Sequence, residues 1–347
     1  MLRVAIVGYD HAHLPKYVPA IAAHPRAQVA AVIAPGANRE MARADSERLG
    51  APYFESIEEA LDAVEVDAAY VGTPPNQHLA VMQVLAPRGV HALIDKPIAT
   101  TLEDADAIIA LGKRHGTKVM IPFNPRFQLP VMKMKAMIDA GELGALQHLH
   151  ATKFGKIPRG IPGMNTEWFF NPVEAGFGGF GDIGIHAIDG LRWLAGSEVR
   201  RVHARITRAL HPDIAVDDFG TALFEFENGV VASLQAGWAN PPGNPAWLSV
   251  AFEAFGSAGS ALIDRPYHDF EIVDGTRLER PAWWRMDVNL LVNEFLSAIE
   301  ERRSPAITGE DGRAALEILT ACYVSSKTGE PVSLPLSRST AKQVTAR

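Results

Sequence analysis

Six short apolar segments alternate with helical patterns over the first 123 residues of this 347-residue chain. The segments lack polar alternation, which is typical of strands buried on both faces of a parallel sheet. The predicted strands are 3–8, 29–34, 52–54, 67–72, 91–95 and 118–123, and the later predicted helices are 37–49, 56–63, 76–86 and 101–115. This order predicts a doubly wound α/β fold, in which ligands bind at the carboxyl ends of the strands.

The remaining sequence has a different pattern. After a proline-rich passage and a helix over 129–140, turns such as Asn228-Gly229 link long strand segments. The predicted strands are 146–155, 201–210, 218–227, 230–238, 247–256, 259–264 and 269–273. They predict an α+β domain with a large, open, mostly antiparallel sheet. We expect domains over 1–123 and 124–336 and a polar tail over 337–347, with helices at 286–303 and 312–327 packing back on the first domain.

Charge and cysteine content exclude several classes of protein. The net charge is −7 without a dense Lys/Arg block, so we expect no nucleic-acid partner. The single cysteine, Cys322, excludes an internal disulfide framework and a zinc ribbon. Because no segment has the roughly 18 apolar residues of a membrane span, we expect no membrane association and a cytoplasmic protein, with a periplasmic location as the exception. The open sheet predicts a homo-oligomer, either a dimer or a tetramer.

Asp95-Lys96-Pro97 closes the fifth predicted strand. An unpaired buried ammonium group is costly, so Lys96 is expected to face a cleft. Pro97 disfavours helical backbone at Lys96 and is compatible with a cis peptide bond between the two residues. An exposed lysine at a strand end is the alternative interpretation of this tripeptide alone.

The turn after the first strand departs from the usual Gly-x-Gly-x-x-Gly pattern for phosphate binding. Gly8 is present, but Asp10 and His13 occupy the second and third glycine positions. Pro15 and Pro19 indicate a widened loop and a regular helix that starts near Lys16. The loop contains two histidines, His11 and His13. No third metal ligand follows them at a recognisable spacing, so we interpret both as loop residues and predict no metal.

The second predicted strand ends at Ala34 without the acidic residue that usually binds the adenosine ribose. Arg39 follows shortly and is suited to a 2′-phosphate, which favours NADP over NAD. An Arg39 on a solvated helix face is the alternative. After the fourth strand, Thr73 and Pro74 begin an extended turn that is expected to line the cofactor edge.

A second polar group lies in the glycine-rich stretch 176–194. Asp182, His186, Asp189 and Trp193 share one face of the predicted helix, since they follow i, i+4, i+7 and i+11 spacing. A carboxylate one turn before a histidine can accept its N–H and raise its basicity. A capping aspartate followed by an ordinary polar face is the alternative.

Taken together, these motifs resemble the Gfo/Idh/MocA family (glucose–fructose oxidoreductase, inositol dehydrogenase and rhizopine catabolism). The resemblance covers nearly the whole chain. It is carried by Thr73-Pro74-Pro75 with His78, by Asp95-Lys96-Pro97 where the family usually has Glu-Lys-Pro, by the passage 124–127, by the glycine loop with Asp182 and His186, and by Gly329-Glu330-Pro331-Val332. It implies a Rossmann domain, a second domain with an open sheet, bound NAD(P) and redox chemistry at a sugar or cyclitol carbon.

The resemblance also implies roles for individual residues. Lys96, Asp182 and His186 match the catalytic residues of the family, and Lys96 is expected at the floor of an interdomain cleft. Arg126, Lys153 and Trp168 are expected to join them as substrate contacts. The expected cofactor contacts are Gly8, Tyr9, Asp10, His11, Ala34, Arg39, Thr73, Pro74, His78, Asp95 and Lys96.

We therefore predict an NAD(P)-dependent dehydrogenase or reductase acting on a polyhydroxylated small molecule. One alternative is a redox-neutral lyase or glycosidase that retains and recycles NAD. The other is a non-catalytic sensor or binding protein that has lost nucleotide binding, as the unusual turn after Gly8 suggests.

Overall fold

The structure is a computed structural model and describes residues 1–34, 36, 38–161, 164–244, 247–263, 272–273, 278–279, 288–337 and 339–340. Its chain forms two compact units. The first comprises Met1–Pro122, Pro158–Gly176 and Val288–Leu316, and the second comprises Phe123–Ile157, Phe177–Asp287 and Glu317–Arg347. The domain limits predicted from the sequence, 1–123 and 124–336, stay a prediction.

The described residues form helices α1 (Leu14–Ala22), α2 (Arg39–Leu49), α3 (Ile57–Ala63), α4 (His78–Leu85), α5 (Leu102–His115), α6 (Leu129–Asp139), α7 (Pro172–Ala175), α8 (Gly179–Ala195), α9 (Val288–Glu300) and α10 (Gly309–Thr328). Local chemistry fixes several of their ends. The hydroxyl of Thr101 accepts a hydrogen bond from the backbone N–H of Asp104 and caps α5, which ends at the left-handed Gly116. None of the described helices is long and apolar enough to cross a membrane.

The sheet of the first unit confirms the predicted doubly wound fold. Its strands are β1 (Leu2–Val7), β2 (Ala27–Ile33), β3 (Tyr53–Phe54), β4 (Ala68–Val71), β5 (His91–Ile94) and β6 (Val119–Met120). They lie in the order β3-β2-β1-β4-β5-β6, and every pair is parallel. The carboxyl ends of β1, β4 and β5 are therefore neighbours, and the segments that follow them meet at one edge.

Helix α1 differs from its prediction, because it begins at Leu14 rather than near Lys16. Pro15 lies in the first turn, where a helix needs no backbone N–H donor. Pro19 lies inside the helix and removes one backbone hydrogen bond, yet α1 continues through Ala22. The burial of Leu14, Tyr17 and Val18 supports the helix despite this loss.

The second unit has the predicted open sheet. Its strands are β7 (Leu146–Gly155), β8 (Val199–Thr207), β9 (Phe219–Phe226), β10 (Val231–Gly237), β11 (Leu248–Gly256), β12 (Ser260–Ile263) and β15 (Val332–Ser333), and β13 (Ile272–Val273) and β14 (Leu278–Glu279) form a separate ladder. The order is β12-β11-β7-β10-β9-β8-β15. All neighbours are antiparallel except β7 and β10. Of the predicted strand 269–273, only 272–273 lie within the described residues.

Helix α8 packs closely on one face of this sheet because it is rich in glycine. A Cβ at Gly184 would lie 3.2 Å from the Cβ of Ala236 on β10. On β9, a Cβ at Gly220 would lie 2.6 Å from Cδ2 of Phe180, which occupies that space instead. Because glycine has no side chain, the helix approaches the sheet closely at these positions. This close packing determines where the polar residues of α8 lie.

Helices α9 and α10 confirm the two predicted closing helices, with ends shifted by a few residues. Residues 286–287 of the first prediction lie outside the described part of the chain. In the first unit, Nη2 of Arg26 donates to the Ser297 hydroxyl of α9 over 2.9 Å. Of the predicted tail, 338 and 341–347 lie outside the described residues.

Candidate active site

The turn after β1 requires glycine at its first position. Gly8 has φ +79°, and a Cβ there would lie 2.4 Å from Cγ2 and 2.7 Å from the backbone nitrogen of Thr73. The loops after β1 and β4 therefore meet backbone to backbone. Only glycine permits this approach, so the first glycine of the phosphate pattern is explained by packing.

The loop beyond Gly8 uses its N–H groups internally. The backbone nitrogens of Asp10 and His11 both donate to the carbonyl of Gly72 over 3.1 Å. His13, the residue before α1, makes no side-chain capping bond to the helix. An anion at this turn thus has fewer free backbone donors than a standard glycine loop provides.

The carboxylate of Asp95 is the centre of a buried polar cluster. Tyr70 donates its hydroxyl to Oδ2 over 2.6 Å, and the backbone nitrogen of Lys96 donates to Oδ1 over 2.8 Å. Nδ1 of His13 lies 3.0 Å from Oδ1, and Nδ1 of His11 lies 3.2 Å from Oδ2. Four polar groups thus surround a fully buried carboxylate and offset the cost of burying it.

Opposing influences set the protonation of this cluster. Burial raises the pKa of Asp95, but His11, His13 and Lys96 outweigh burial and hold that pKa below its ordinary value. Burial is also the largest influence on His13 and lowers the pKa of its imidazole, against the attraction of Asp95. The two directions are compatible, since a neutral His13 still donates its Nδ1–H to the carboxylate.

His11, His13 and Asp95 also form the type of donor set that binds metals. Their candidate ligand atoms lie within 4.8 Å of one another. The third ligand is not recognisable from spacing in the sequence, because Asp95 lies 82 residues beyond His13. The charges of Lys96 and Lys16, both of which lower the pKa of His13, oppose a further cation here. The absence of a metal stays a prediction.

Lys96 lies two residues after the end of β5 and is 2% exposed, and its peptide bond to Pro97 is cis. Thr73 lies at the neighbouring end of β4 and is also 2% exposed. The Thr73 hydroxyl has no hydrogen-bond partner among the described residues. A buried hydroxyl usually finds a partner, so the carboxyl edge of the sheet suits a polar ligand such as a dinucleotide.

Three other predicted cofactor residues have partners within the fold. Tyr9 is buried, and its hydroxyl donates to Oδ2 of Asp45 on α2 over 3.1 Å. The two ring nitrogens of His78 lie 3.1 Å from the carbonyl oxygens of Thr73 and Ile98. Ala34 accepts a hydrogen bond from the Tyr53 hydroxyl through its carbonyl. These contacts stabilise the edge, and direct cofactor contacts by these residues stay predictions.

In the second unit, Asp182 and His186 lie one turn apart on α8. The indole nitrogen of Trp238 donates to Oδ2 of Asp182 over 2.9 Å. His186 is 3% exposed, and the ring of Phe123 meets its imidazole edge-to-face with centroids 6.0 Å apart. Trp238 was not predicted as a functional residue, because it directly follows β10 and no charged or metal-binding side chain marks that position in the sequence.

Lys153 lies beneath the same helix. It is 3% exposed, and on β7 it shares the α8-facing side with Leu149 and Ala151. On β10 it pairs with Ala236, the residue that Gly184 of α8 approaches. The register therefore brings a buried lysine under the turn that carries Asp182 and His186.

Arg126 and Asp189 form a buried ion pair in the second unit. Nε of Arg126 donates to Oδ2 over 2.8 Å and Nη2 donates to Oδ1 over 2.6 Å. Asp189 is fully buried and Arg126 is 9% exposed. The guanidinium thus has a structural partner, and its predicted contact with substrate stays a prediction.

Trp168, another predicted substrate contact, belongs to the first unit. Its indole nitrogen donates to the backbone carbonyl of Asp10 over 2.8 Å. Its ring stacks on Phe169, with centroids 3.8 Å apart, and lies 5.7 Å from the His11 ring. Within the first unit, this tryptophan fastens segment 164–170 to the loop after β1.

Known proteins resemble this chain in both units. This chain is 27% identical to the oxidoreductase YrbE of Bacillus subtilis over 330 residues, and the alignment covers 92% of each chain. The D-xylose 1-dehydrogenase (NADP⁺) 2 of Haloferax volcanii is 26% identical over 86% of this chain and 90% of its own. The crystal structure of GenD2 from gentamicin A biosynthesis, in complex with NAD, has the same fold, with a TM-score of 0.83, 23% identity and coverage of 96% of this chain and 97% of its own.

Family models agree with this similarity. Residues 2–123 match the model described as the oxidoreductase family with an NAD-binding Rossmann fold. Residues 131–262 match the GFO/IDH/MocA C-terminal domain. The chain therefore belongs to the Gfo/Idh/MocA family of oxidoreductases.

Proposed function

We propose that this protein is an NAD(P)-dependent dehydrogenase or reductase that acts on a CH–OH carbon of a sugar, cyclitol or related polyol. Family membership supports an oxidoreductase. The Haloferax relative is named for oxidation of a sugar, which supports the substrate class. The observation that carries the proposal is Lys96, a 2% exposed residue two positions after the end of β5, whose backbone nitrogen donates to the carboxylate of Asp95.

The carboxyl edge of the first sheet fits a dinucleotide. Gly8 lets the loop after β1 approach Thr73 closely, and the Thr73 hydroxyl is buried without a partner among the described residues. When bound there, the nicotinamide supplies the hydride acceptor or donor. Lys96 lies at the same edge of the sheet. A residue that acts beside the nicotinamide ring of a bound dinucleotide has to lie at this edge.

His186 is the proposed general base, which takes the proton of the substrate hydroxyl or returns it in the reduction direction. Asp182 orients His186, and the indole of Trp238 holds the Asp182 carboxylate. Lys96 donates a hydrogen bond to a substrate oxygen and stabilises the negative charge that develops on it. Lys153, Arg126 and Trp168 are proposed to contribute further substrate contacts.

Replacement of Lys96 by methionine tests this assignment. We expect Lys96→Met to abolish turnover with sugars and cyclitols while circular dichroism and the unfolding midpoint stay close to wild type. Lys113→Met is the matched control, since Lys113 is exposed and pairs with Glu310 on the surface. Turnover by Lys96→Met at the wild-type rate would exclude the proposed role of Lys96.

The alternatives give different results in the same assays. A redox-neutral lyase or glycosidase converts its substrate without added dinucleotide and without net NADH formation, so product analysis under those conditions identifies it. A sensor that has lost nucleotide binding gives no fluorescence change with NADH or NADPH.

A further inference from the structure

The side chain of Asp10 reaches from the loop after β1 to the end of β2. Nδ2 of Asn38 donates to Oδ1 of Asp10 over 3.1 Å. A Cβ built on Gly36 would lie 3.2 Å from both carboxylate oxygens. The carboxylate therefore lies against the backbone that follows β2, although Asp10 belongs to a different loop.

The Asp10 carboxylate thus lies where dinucleotide-binding folds usually have an acidic residue. In these folds an acidic residue at the end of the second strand hydrogen-bonds the adenosine ribose and selects NAD. Here β2 ends at Ile33 and continues into Ala34, so the chain has no carboxylate at that point. Asp10, at the second glycine position of the turn, supplies one from a neighbouring loop.

Segment 164–170 of the first unit holds Asp10 and Asn38 in place. The backbone nitrogen of Asn165 donates to Oδ1 of Asn38 over 2.7 Å. Trp168 donates to the Asp10 carbonyl over 2.8 Å. The backbone nitrogen of Asp10 donates a hydrogen bond to the carbonyl of Gly72. Main chain and side chain are thus both fixed, as required of a group that recognises a ligand by geometry.

Arg39 is the rival determinant, since an arginine after β2 can bind a 2′-phosphate. Its Nε donates to the Gly36 carbonyl over 3.2 Å, and its Nη1 lies 3.9 Å from a Glu55 carboxylate oxygen. The Arg39 side chain is 54% exposed. An exposed cation contributes less to recognition than a fixed, partly buried anion, because solvent screens it.

We propose that Asp10 selects the cofactor: its carboxylate accepts hydrogen bonds from the adenosine ribose hydroxyls of NAD and repels the 2′-phosphate of NADP. This inference rests on the proposed dinucleotide function and reverses the preference for NADP expected from Arg39. It also explains why an aspartate occupies a position where glycine is usual.

Fluorescence titration of the full-length protein with NADH and with NADPH tests the proposal. We expect wild type to bind NADH at least about 10-fold more tightly than NADPH, the size of effect that a hydrogen bond to a charged group provides. Asp10→Asn keeps the side-chain volume and a partner for Asn38 but removes the charge. It should weaken NADH binding by about 10-fold, leave NADPH binding equal or tighter, and bring the ratio towards one.

Two control variants separate Asp10 from its surroundings. Glu40→Gln removes an exposed carboxylate from the first turn of α2 and should leave both dissociation constants within about twofold of wild type. Arg39→Ala should leave NADH binding unchanged. Circular dichroism and the unfolding midpoint establish that each variant is folded, and Asp10→Ser repeats the charge removal with a smaller side chain.

The outcomes distinguish this inference from the proposed function. Wild-type preference for NADPH, or an unchanged NADH to NADPH ratio in folded Asp10→Asn and Asp10→Ser, would overturn the role of Asp10 and leave a dinucleotide-binding enzyme. Failure of wild type to bind either dinucleotide would overturn the proposed function and this inference together.

Discussion

The hydroxyl of Tyr70 donates a 2.6 Å hydrogen bond to Oδ2 of Asp95, and both residues are completely buried. Tyr70 extends from β4 and Asp95 follows β5, so the bond joins two neighbouring strands at their carboxyl ends. It also fixes the carboxylate that accepts the backbone N–H of Lys96. The position of the proposed catalytic lysine therefore depends on a tyrosine that touches neither cofactor nor substrate in the proposed mechanism.

Tyr70→Phe should destabilise the protein by about 1–3 kcal/mol, because the buried Asp95 oxygen loses a donor that water cannot replace. The ring itself remains, including its contact with Tyr17. Urea unfolding measures the loss. Tyr53→Phe is the control, since Tyr53 is half-buried and its hydroxyl donates to the uncharged Ala34 carbonyl, so its removal should cost less. Equal losses in the two variants would contradict a special role for the Asp95 cluster.

Stability should fall as the pH drops below about 6.5, the ordinary histidine pKa of an unfolded chain. Burial lowers the folded-state pKa of His13, so the unfolded chain binds the proton first and acidification favours unfolding. The pKa of Asp95 is also lowered in the folded state, which adds a further loss below about pH 4. Urea midpoints between pH 8 and pH 5 report the histidine part.

His13→Asn tests which group causes this slope. Asparagine keeps an N–H donor for Asp95 but does not titrate, so the free energy of unfolding should vary less with pH, by at most about 1.4 kcal/mol per pH unit for one proton. His115→Asn, on the exposed last turn of α5, is the control. A slope that His13→Asn leaves unchanged would assign it to other groups, such as the fully buried His78, whose pKa burial also lowers.

The elements of the fold were predictable because their signals are local. Apolar segments without polar alternation predicted all six strands of the first sheet, and α5, which Thr101 caps, begins at Leu102, one residue after the predicted start at 101. Strand β6 is the exception, because it pairs only over Val119–Met120 although 118–123 was predicted. Pro122 offers no backbone N–H, so the ladder is not expected to continue through it.

The candidate site was only partly predictable. That Gly8, Thr73 and Lys96 share an edge followed from strand order, because β1, β4 and β5 are parallel neighbours. The convergence of His11 and His13 on Asp95 did not, since it depends on side-chain directions across 82 or more residues. Asn38, Tyr70 and Trp238 were missed for a related reason: each acts by holding another residue, which leaves no pattern in the sequence.

Asp189→Asn should cost about 3–5 kcal/mol, because it leaves the Arg126 guanidinium buried without its anionic partner. The double variant Arg126→Met/Asp189→Leu should recover most of that loss, since burying two apolar groups avoids the unpaired charge. Urea unfolding of the single and double variants gives the coupling. Glu198→Gln is the control, as its pair with Arg192 is half-exposed and worth about 0–1 kcal/mol. If Asp189→Asn costs no more than this control, Arg126 is not primarily structural and its role as a substrate contact gains support.

The outer face of the second sheet, on the side opposite α8, carries exposed apolar side chains on four strands. These are Leu223 on β9, Val231 on β10, Phe255 on β11 and Leu262 on β12, which are 52%, 41%, 43% and 55% exposed. The register puts them on one face, since Leu223 pairs with Ser233, two residues after Val231, and Leu262 pairs with Glu253, two residues before Phe255. Homo-oligomerisation stays a prediction, and we expect these side chains to contact a second copy of the chain, the occupant predicted from the sequence.

Leu223→Glu combined with Leu262→Glu should therefore dissociate the oligomer, because two carboxylates would be buried at each copy of the interface. Sedimentation equilibrium of wild type should give a dimer or tetramer, and the double variant should shift towards monomer by at least about 100-fold in dissociation constant, the effect of roughly 3 kcal/mol. Leu210→Glu is the control, since Leu210 is 50% exposed and lies beyond β8, outside the sheet. A wild-type monomer, or an oligomer that the double variant leaves intact, would show that this face does not join copies of the chain.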